Sequence, residues 1–94
     1  MKKKATRNGK TSVTFELPSD VVADHAVVIG DFNGWQDGKP MKRRRDGSFS
    51  ATLRLDPGRY RYRYLLDDER WENDWSADAY EPNSYGSDDS VVVL

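Results

Sequence analysis

Apolar and polar residues alternate along three stretches of this chain. Over Thr11 to Leu17, Val13, Phe15 and Leu17 fall on one side and Ser12, Thr14 and Glu16 on the other. From Ser48 to Leu55, Phe49, Ala51, Leu53 and Leu55 share a face opposite Ser48, Ser50, Thr52 and Arg54. From Arg59 to Leu66, Tyr60, Tyr62, Tyr64 and Leu66 oppose Arg59, Arg61, Arg63 and Leu65. A period of two belongs to a strand with one buried face. His25 to Gly30 is almost continuously apolar, which predicts a central strand covered on both faces. Ser90 to Leu94 reads as a closing strand. Pro18-Ser19-Asp20, Asp46-Gly47, Asp56-Pro57-Gly58 and Asp67-Asp68-Glu69 supply turn chemistry between them. No stretch carries a helical period. About seven short strands with turns between them predict an all-β fold, an antiparallel β-sandwich of immunoglobulin-like type.

The corner after the apolar strand is unusual. Ile29-Gly30-Asp31-Phe32-Asn33-Gly34-Trp35-Gln36 packs two glycines, an Asp and an Asn around two large aromatics. Gly30 and Gly34 permit positive φ or close backbone approach, and Asn33 tolerates the left-handed region. The pattern predicts a strand ending in a tight corner that aims Trp35. It leaves open whether that ring faces water or folds back onto the body. Residues 1–10, basic and polar with Asn8-Gly9, are expected to be a flexible tail ahead of one domain over 11–94. Residues 72–90 make a long polar stretch with Trp75, Tyr80 and Tyr85 interleaved. Its length suggests a functional segment, and its aromatics suggest that it is pinned to the body.

Composition narrows the chemistry. Ninety-four residues make one small domain. With no cysteine there is no disulfide, thiol nucleophile or thiolate metal site, and a single histidine, His25, offers no triad or zinc set. No cofactor or metal is implied. No apolar run approaches the ~20 residues of a membrane span, and no apolar segment follows the basic start, so a cytoplasmic location is the default expectation. The net charge of −1 hides segregation: residues 1–63 hold 14 Lys/Arg against 7 Asp/Glu, and residues 64–94 hold 1 against 9. In a small sheet protein the two parts lie side by side and neutralise each other, which weighs against a nucleic-acid patch. Arg43-Arg44-Arg45 reads as a solvated edge strand that resists aggregation. Asp67, Asp68, Glu69, Glu72, Asp74 and Asp78 read as solvated turn acids, with no apolar pocket to raise one pKa for acid catalysis. The chain is not expected to be an enzyme.

Aromatics are more informative. A pyranose ring has an apolar C–H face that stacks on an indole plane and a rim of hydroxyls that needs fixed donors and acceptors. Trp35 and Trp71, both at strand ends beside polar turns, with Arg63 and the Asn83 to Asp89 segment, supply those types. Spacing alone is a weak signal, since both tryptophans also fit core positions.

Four motifs in order carry a resemblance. Val28-Ile29-Gly30-Asp31-Phe32-Asn33-Gly34-Trp35 is similar to a G-x-F-N-x-W corner. Asp46-Gly47-Ser48-Phe49, with Leu53 through Tyr64, is similar to a D-G-x-F … L-x-x-G-x-Y-x-Y-K-F hairpin. Arg70-Trp71-Glu72-Asn73-Asp74 is similar to x-W-x-x-D-P, and Pro82 through Val92 to an N-x-F-G-x-x-N-S-V-V ending. Residues 11–94 thus resemble carbohydrate-binding module family 48. That group includes the isoamylase N-terminal early-set domains and the glycogen-binding domain of the AMP-activated protein kinase beta subunit.

The resemblance implies an early-set sandwich that binds α-1,4-linked glucan, such as glycogen, starch or maltooligosaccharide, without cleaving it. Trp35 and Trp71 match two stacking tryptophans. Arg63 matches a basic residue, usually lysine, that bonds sugar hydroxyls. Tyr85 matches a bulky apolar residue that projects into the sugar, Ser87 a hydroxyl position and Asp89 a hydrogen-bonding Asn. Asn33 and Asn83 complete the expected set. Trp75 stands where the pattern has proline. A second reading is an interaction or regulatory module of a glucan-metabolising enzyme or kinase assembly, with Val91 to Leu94 as an exposed strand that extends a partner's sheet.

Overall fold

The computed structural model describes residues 1–94 as two packed antiparallel sheets. The strands are β1 (Lys2–Ala5), β2 (Thr11–Leu17), β3 (Ala26–Gly30), β4 (Lys39–Pro40), β5 (Lys42–Arg43), β6 (Phe49–Leu55), β7 (Arg59–Leu66), β8 (Arg70–Glu72), β9 (Ala79–Pro82) and β10 (Asp88–Val93). The smaller sheet runs β1-β2-β6-β5. The larger runs β4-β3-β7-β10-β9, with β8 also on β7. The sandwich forms as the alternation requires. Phe15, Phe49, Tyr62, Tyr64 and Leu66 are buried between the layers, with Val13, Leu17 and Val28. Phe15 meets the Tyr62 ring edge-on at 4.9 Å, an arrangement that aromatic quadrupoles favour. Met41 joins the core as expected.

Ten strands replace the expected seven, because several are too short to show a pattern. The expected tail is corrected in part. Lys2–Ala5 pairs with β2, Lys2 opposite Thr14 and Ala5 opposite Thr11. Three exposed lysines there leave no apolar alternation to read, and a charged residue row suits a sheet edge. The 72–90 stretch is not one loop, since β9 lies within it. The closing strand is not an open edge. β10 is paired to β7 over Ser90 to Val93 and to β9 over Asp88 to Val91. Beyond Val91 the Asp78 carboxylate accepts the Val93 amide and Lys3 donates to the Val93 carbonyl, so the partner-extending edge expected of Val91 to Leu94 is already occupied at Val91 and Val93.

The arginine run is also less free than expected. Arg43 lies 4.8 Å over the Phe49 ring and donates to the Ala23 carbonyl, and Arg44 pairs with Glu16 at 2.8 Å. Asp74, expected in a solvated turn, is only 4 % exposed. Its Oδ2 accepts from the Tyr62 and Tyr64 hydroxyls at 2.6 and 3.2 Å, and its Oδ1 from the Ser76 amide. The reason lies in the core. Two buried phenols need a hydrogen-bond partner, and one carboxylate serves both. Burial and the adjacent Asp74 charge hold both phenols far above the ordinary tyrosine range.

One feature of the larger sheet shapes everything on its outer face. β3 covers Tyr62 to Leu66 on one edge of β7. On the other edge, β10 takes Arg59 to Tyr62 and β8 takes Tyr64 to Leu66. Arg63 stands opposite the gap where the two diverge. The fork is tied by side chains: Asn73 donates to the Asp88 carbonyl, and Ser90 Oγ donates to Asn73 Oδ1 while accepting the Asp74 amide.

Candidate functional site

The corner after β3 is built by hydrogen bonds to its own backbone. Gly30 is extended, and a Cβ there would lie 2.3 Å from the Arg61 carbonyl oxygen. Its glycine is required by close approach to β7 and not by positive φ. Asp31 to Asn33 form a single 3-10 turn. Gly34 follows in the left-handed region at φ 65°, and Trp35 is also left-handed at φ 58°. A bulky side chain in that region is a strained choice, of about 1–3 kcal/mol, that the surroundings must enforce.

Asp31 provides the enforcement. Its Oδ1 accepts the Trp35 indole N–H at 2.8 Å, and its Oδ2 accepts the Arg61 amide at 2.8 Å. The Trp35 amide donates to the Gly30 carbonyl at 2.9 Å. Trp35 is therefore half-buried and held in place, neither folded into the core nor free. Phe32 packs inward on Phe15 at 5.5 Å and anchors the turn.

Asn33 departs from expectation in two ways. It is not the left-handed residue, and it does not reach the candidate site. Its Oδ1 accepts the Gly30 amide and its Nδ2 donates to the Val28 carbonyl. An amide engaged at both ends closes the corner, and Asn33 does not line the trough that Trp35 enters.

Trp35 and Trp71, 36 positions apart in the chain, line one open trough of about 720 Å³ on the outer face of the larger sheet. Asp31, Arg61, Arg63, Asn83, Ser84, Tyr85 and Asp89 complete its lining. β8 carries Trp71 opposite Leu65 on the face that Arg63 shares, and the ring is 46 % exposed. The Arg63 guanidinium lies 5.7 Å from the centre of the Trp71 ring, within cation–π range. Its Nη1 approaches Ser87 Oγ at 3.5 Å, and its buried Nε has no partner in the protein. A buried N–H left unpaired is costly, so this arginine is not fully satisfied within the protein.

The far wall is the turn between β9 and β10. Asn83 Oδ1 accepts the Tyr85 and Ser87 amides, and its Nδ2 donates to Asp89 Oδ1 at 3.1 Å and Ser87 Oγ at 3.0 Å. This pins the turn and lifts Tyr85, 92 % exposed, at its tip. Ser87 supports Arg63 and Asn83 behind that wall. The Asp89 side chain is 9 % exposed and lies 3.7 Å from Arg61. Arg61 also meets Glu81, as does Arg59. Hydrogen bonds from Arg59 and then Arg61 hold the Glu81 carboxyl below its ordinary range. Of the three outward arginines, Arg63 alone faces no carboxylate within ion-pair distance.

The structure thus brings together Trp35, Trp71, Arg63, Asn83, Tyr85, Ser87 and Asp89, and leaves Asn33 out. Asp31 and Arg61 were missed from the sequence. The outward phase of Arg61 was visible, but its closeness to the corner depends on how β3 pairs with β7.

Comparison with known proteins finds a family and two relatives. A family model described as the glycogen recognition site of AMP-activated protein kinase matches residues 10–92. Protein PTST homolog 2, chloroplastic, of Arabidopsis thaliana is 28 % identical over 74 residues, 77 % of this chain and 13 % of its own length. Protein FLOURY ENDOSPERM 6, chloroplastic, of Oryza sativa subsp. japonica is 40 % identical over 52 residues, 55 % of this chain and 10 % of its own. The chain therefore spans only about a tenth of the length of these relatives.

Proposed function

Since the chain belongs to the family that carries the glycogen recognition site of AMP-activated protein kinase, we propose that it is a non-catalytic module binding α-1,4-linked glucan in the Trp35–Trp71 trough. One observation carries this reading: two tryptophans remote in sequence border a single open trough together with Arg63, the outward arginine of β7 that faces no carboxylate. The trough suits the two-sided chemistry of a sugar. Indole planes take the C–H faces of pyranose rings, which removes poorly hydrated surface on both partners. Arg63 donates to ring hydroxyls, while Asp89 and Asp31 retain lone pairs to accept from them. Tyr85, at the tip of a pinned turn, lies against the bound chain. Asn83 and Ser87 hold that turn in shape.

Each stacked aromatic contributes about 0.5–1.5 kcal/mol beyond area burial. The dissociation constant for a short maltooligosaccharide is therefore on the order of 10 µM to 1 mM. Titration with maltoheptaose, followed by NMR, tests this. The indole N–H signals of Trp35 and Trp71 shift on binding, and a Trp35→Ala, Trp71→Ala double variant loses the trough's response. No shift of either signal at millimolar sugar overturns the reading.

The much longer relatives support a module that ties other parts of a larger protein to glucan. An enzyme or kinase partner would then be brought to the polysaccharide, with the trough left free for sugar. No helix is long and apolar enough to cross a membrane. The cysteine-free composition suits a reducing, glucan-containing compartment, which covers the cytoplasm as well as the chloroplast of the named relatives.

A further inference from the structure

We propose that a second cleft, walled by Trp75 at the end of the sandwich, is an independent binding site for the pyranose rings of a glucan. The cleft holds about 520 Å³ and shares no lining residue with the trough. It opens between the end of β2, the turn from β5 to β6, and the segment that leaves β8. Tyr64 and Asp74, both buried, form its floor.

Trp75 is 72 % exposed and takes no part in the core cluster or in any aromatic pair of the fold. Its indole stands at the rim of a concave, mostly polar surface, where it offers a flat apolar plane beside hydrogen-bonding groups. Its N–H donates to Glu72 Oε1 at 3.4 Å, a long hydrogen bond that ties the ring to the end of β8.

The lining chooses among ligand classes. Only 5 of the 15 lining residues are hydrophobic, so the cleft does not suit an apolar peptide. Four carboxylates border it, and each already has a partner, Glu72 in the Trp75 indole. Glu16 is paired with Arg44. Asp46 accepts the Ser48 amide and hydroxyl. Asp74 accepts two phenols and the Ser76 amide. Glu16 alone is ion-paired, and Glu16, Asp46 and Glu72 keep lone pairs free for hydroxyl donors. An acceptor-rich hollow beside one flat aromatic plane matches a ligand with an apolar ring face and a rim of hydroxyl donors. The choice of glucan among sugars rests on the function proposed above; the sugar class rests on the cleft itself.

Trp71 and Trp75 lie four positions apart on either side of the fork, one in the trough and one in the cleft. Two sites on one small domain would engage two chains, or two segments of one chain, on a polysaccharide surface. The second contact then forms at high effective concentration.

The test follows the three indole N–H signals during maltoheptaose titration of the wild type, Trp75→Ala and the Trp35→Ala, Trp71→Ala variant. The expected result is that the Trp75 signal shifts in the wild type and still shifts in the double variant. Trp75→Ala keeps the Trp35 and Trp71 shifts but is retained about tenfold less by insoluble glucan. A Trp75 signal that stays still while Trp35 and Trp71 move overturns the second site and leaves the trough standing. So does a Trp75 shift that vanishes in the double variant, since it was then transmitted from the trough. Movement of Trp75 alone upholds the second site and overturns the trough.

Discussion

Asp31 shows how much one short side chain can decide. Both of its oxygens are committed, one to the Trp35 indole and one to the Arg61 amide, so it sets the strained backbone and the ring together. Asp31→Ala is expected to lower stability by about 1 kcal/mol, the net worth of such hydrogen bonds at a part-exposed site. It should weaken maltoheptaose binding by about three- to tenfold, because the ring samples other positions. Urea melts and a sugar titration on the same sample separate the two effects. Asp74 is the buried counterpart. Asp74→Ala strands two phenol hydroxyls in the core and should cost about 2–4 kcal/mol. Tyr64→Phe removes one donor from a carboxylate that keeps others, and should cost about 1 kcal/mol. Equal losses in urea midpoint for the two variants would refute the shared-acceptor account.

At the scale of elements, the site depends on how strands end. β3 ends at Gly30, which lies too close to β7 for any side chain, and the chain then leaves the sheet in the Asp31–Asn33 turn. Gly30→Ala drives a methyl group into the Arg61 carbonyl and the Tyr62 Cβ. Overpacking of that kind costs about 1–3 kcal/mol. The last β3 rung should open first, giving faster amide exchange at Gly30 and Trp35 than at Val28. On the opposite edge, β8 and β10 divide β7 between them, which leaves Arg63 facing a gap and free of a carboxylate partner. The Arg59–Leu66 alternation made the outward phase of Arg63 legible. The fork that frees it was not legible, since β8 is three residues long and its partner is settled by Asn73 and Ser90 at a distance.

Over the whole molecule, charge segregation along the chain becomes charge pairing in space, with Lys3, Arg59 and Arg61 of the basic part meeting acids of the C-terminal part and Arg44 meeting Glu16 within the basic part. Lys3 meets Asp78, Arg44 meets Glu16, and Arg59 and Arg61 meet Glu81. Arg44 holds the Glu16 carboxyl below its ordinary range. At Asp78 burial works upward, but the Lys3 hydrogen bond and the Val93 amide outweigh it. The His25 and Asp24 amides do the same for Asp67, against a smaller upward push from burial. A carboxyl lowered in the folded state binds fewer protons there than in the unfolded chain. Its contribution is therefore present above the ordinary carboxylate pKa of about 4 and is lost as pH falls through the lowered values. The thermal midpoint should be flat from about pH 6 to 8 and fall below about pH 4. A midpoint that rises on acidification to pH 3 would contradict the pairing. Most of these pairs are part-exposed, so added salt should also reduce the acid sensitivity.

The sequence alone determined what depends on local order. Period-two alternation fixed the faces of β2, β6 and β7, and turn residues placed most of the bends, because neighbouring residues govern both. Motif order pointed to the family, and residue chemistry named the tryptophans and Arg63. Tertiary structure decided what depends on strands remote in the chain. It brought Trp35 and Trp71 to one trough, folded Asn33 back onto its own strand and made Asp31 the clasp of the site. It also sent Asp74 into the core, paired Lys2–Ala5 at an edge and set Trp75 over a cleft of its own. The physical reason is the same in each case. A hydrogen-bonding group states what it can do through its chemistry, and only the packed neighbours decide which partner it meets.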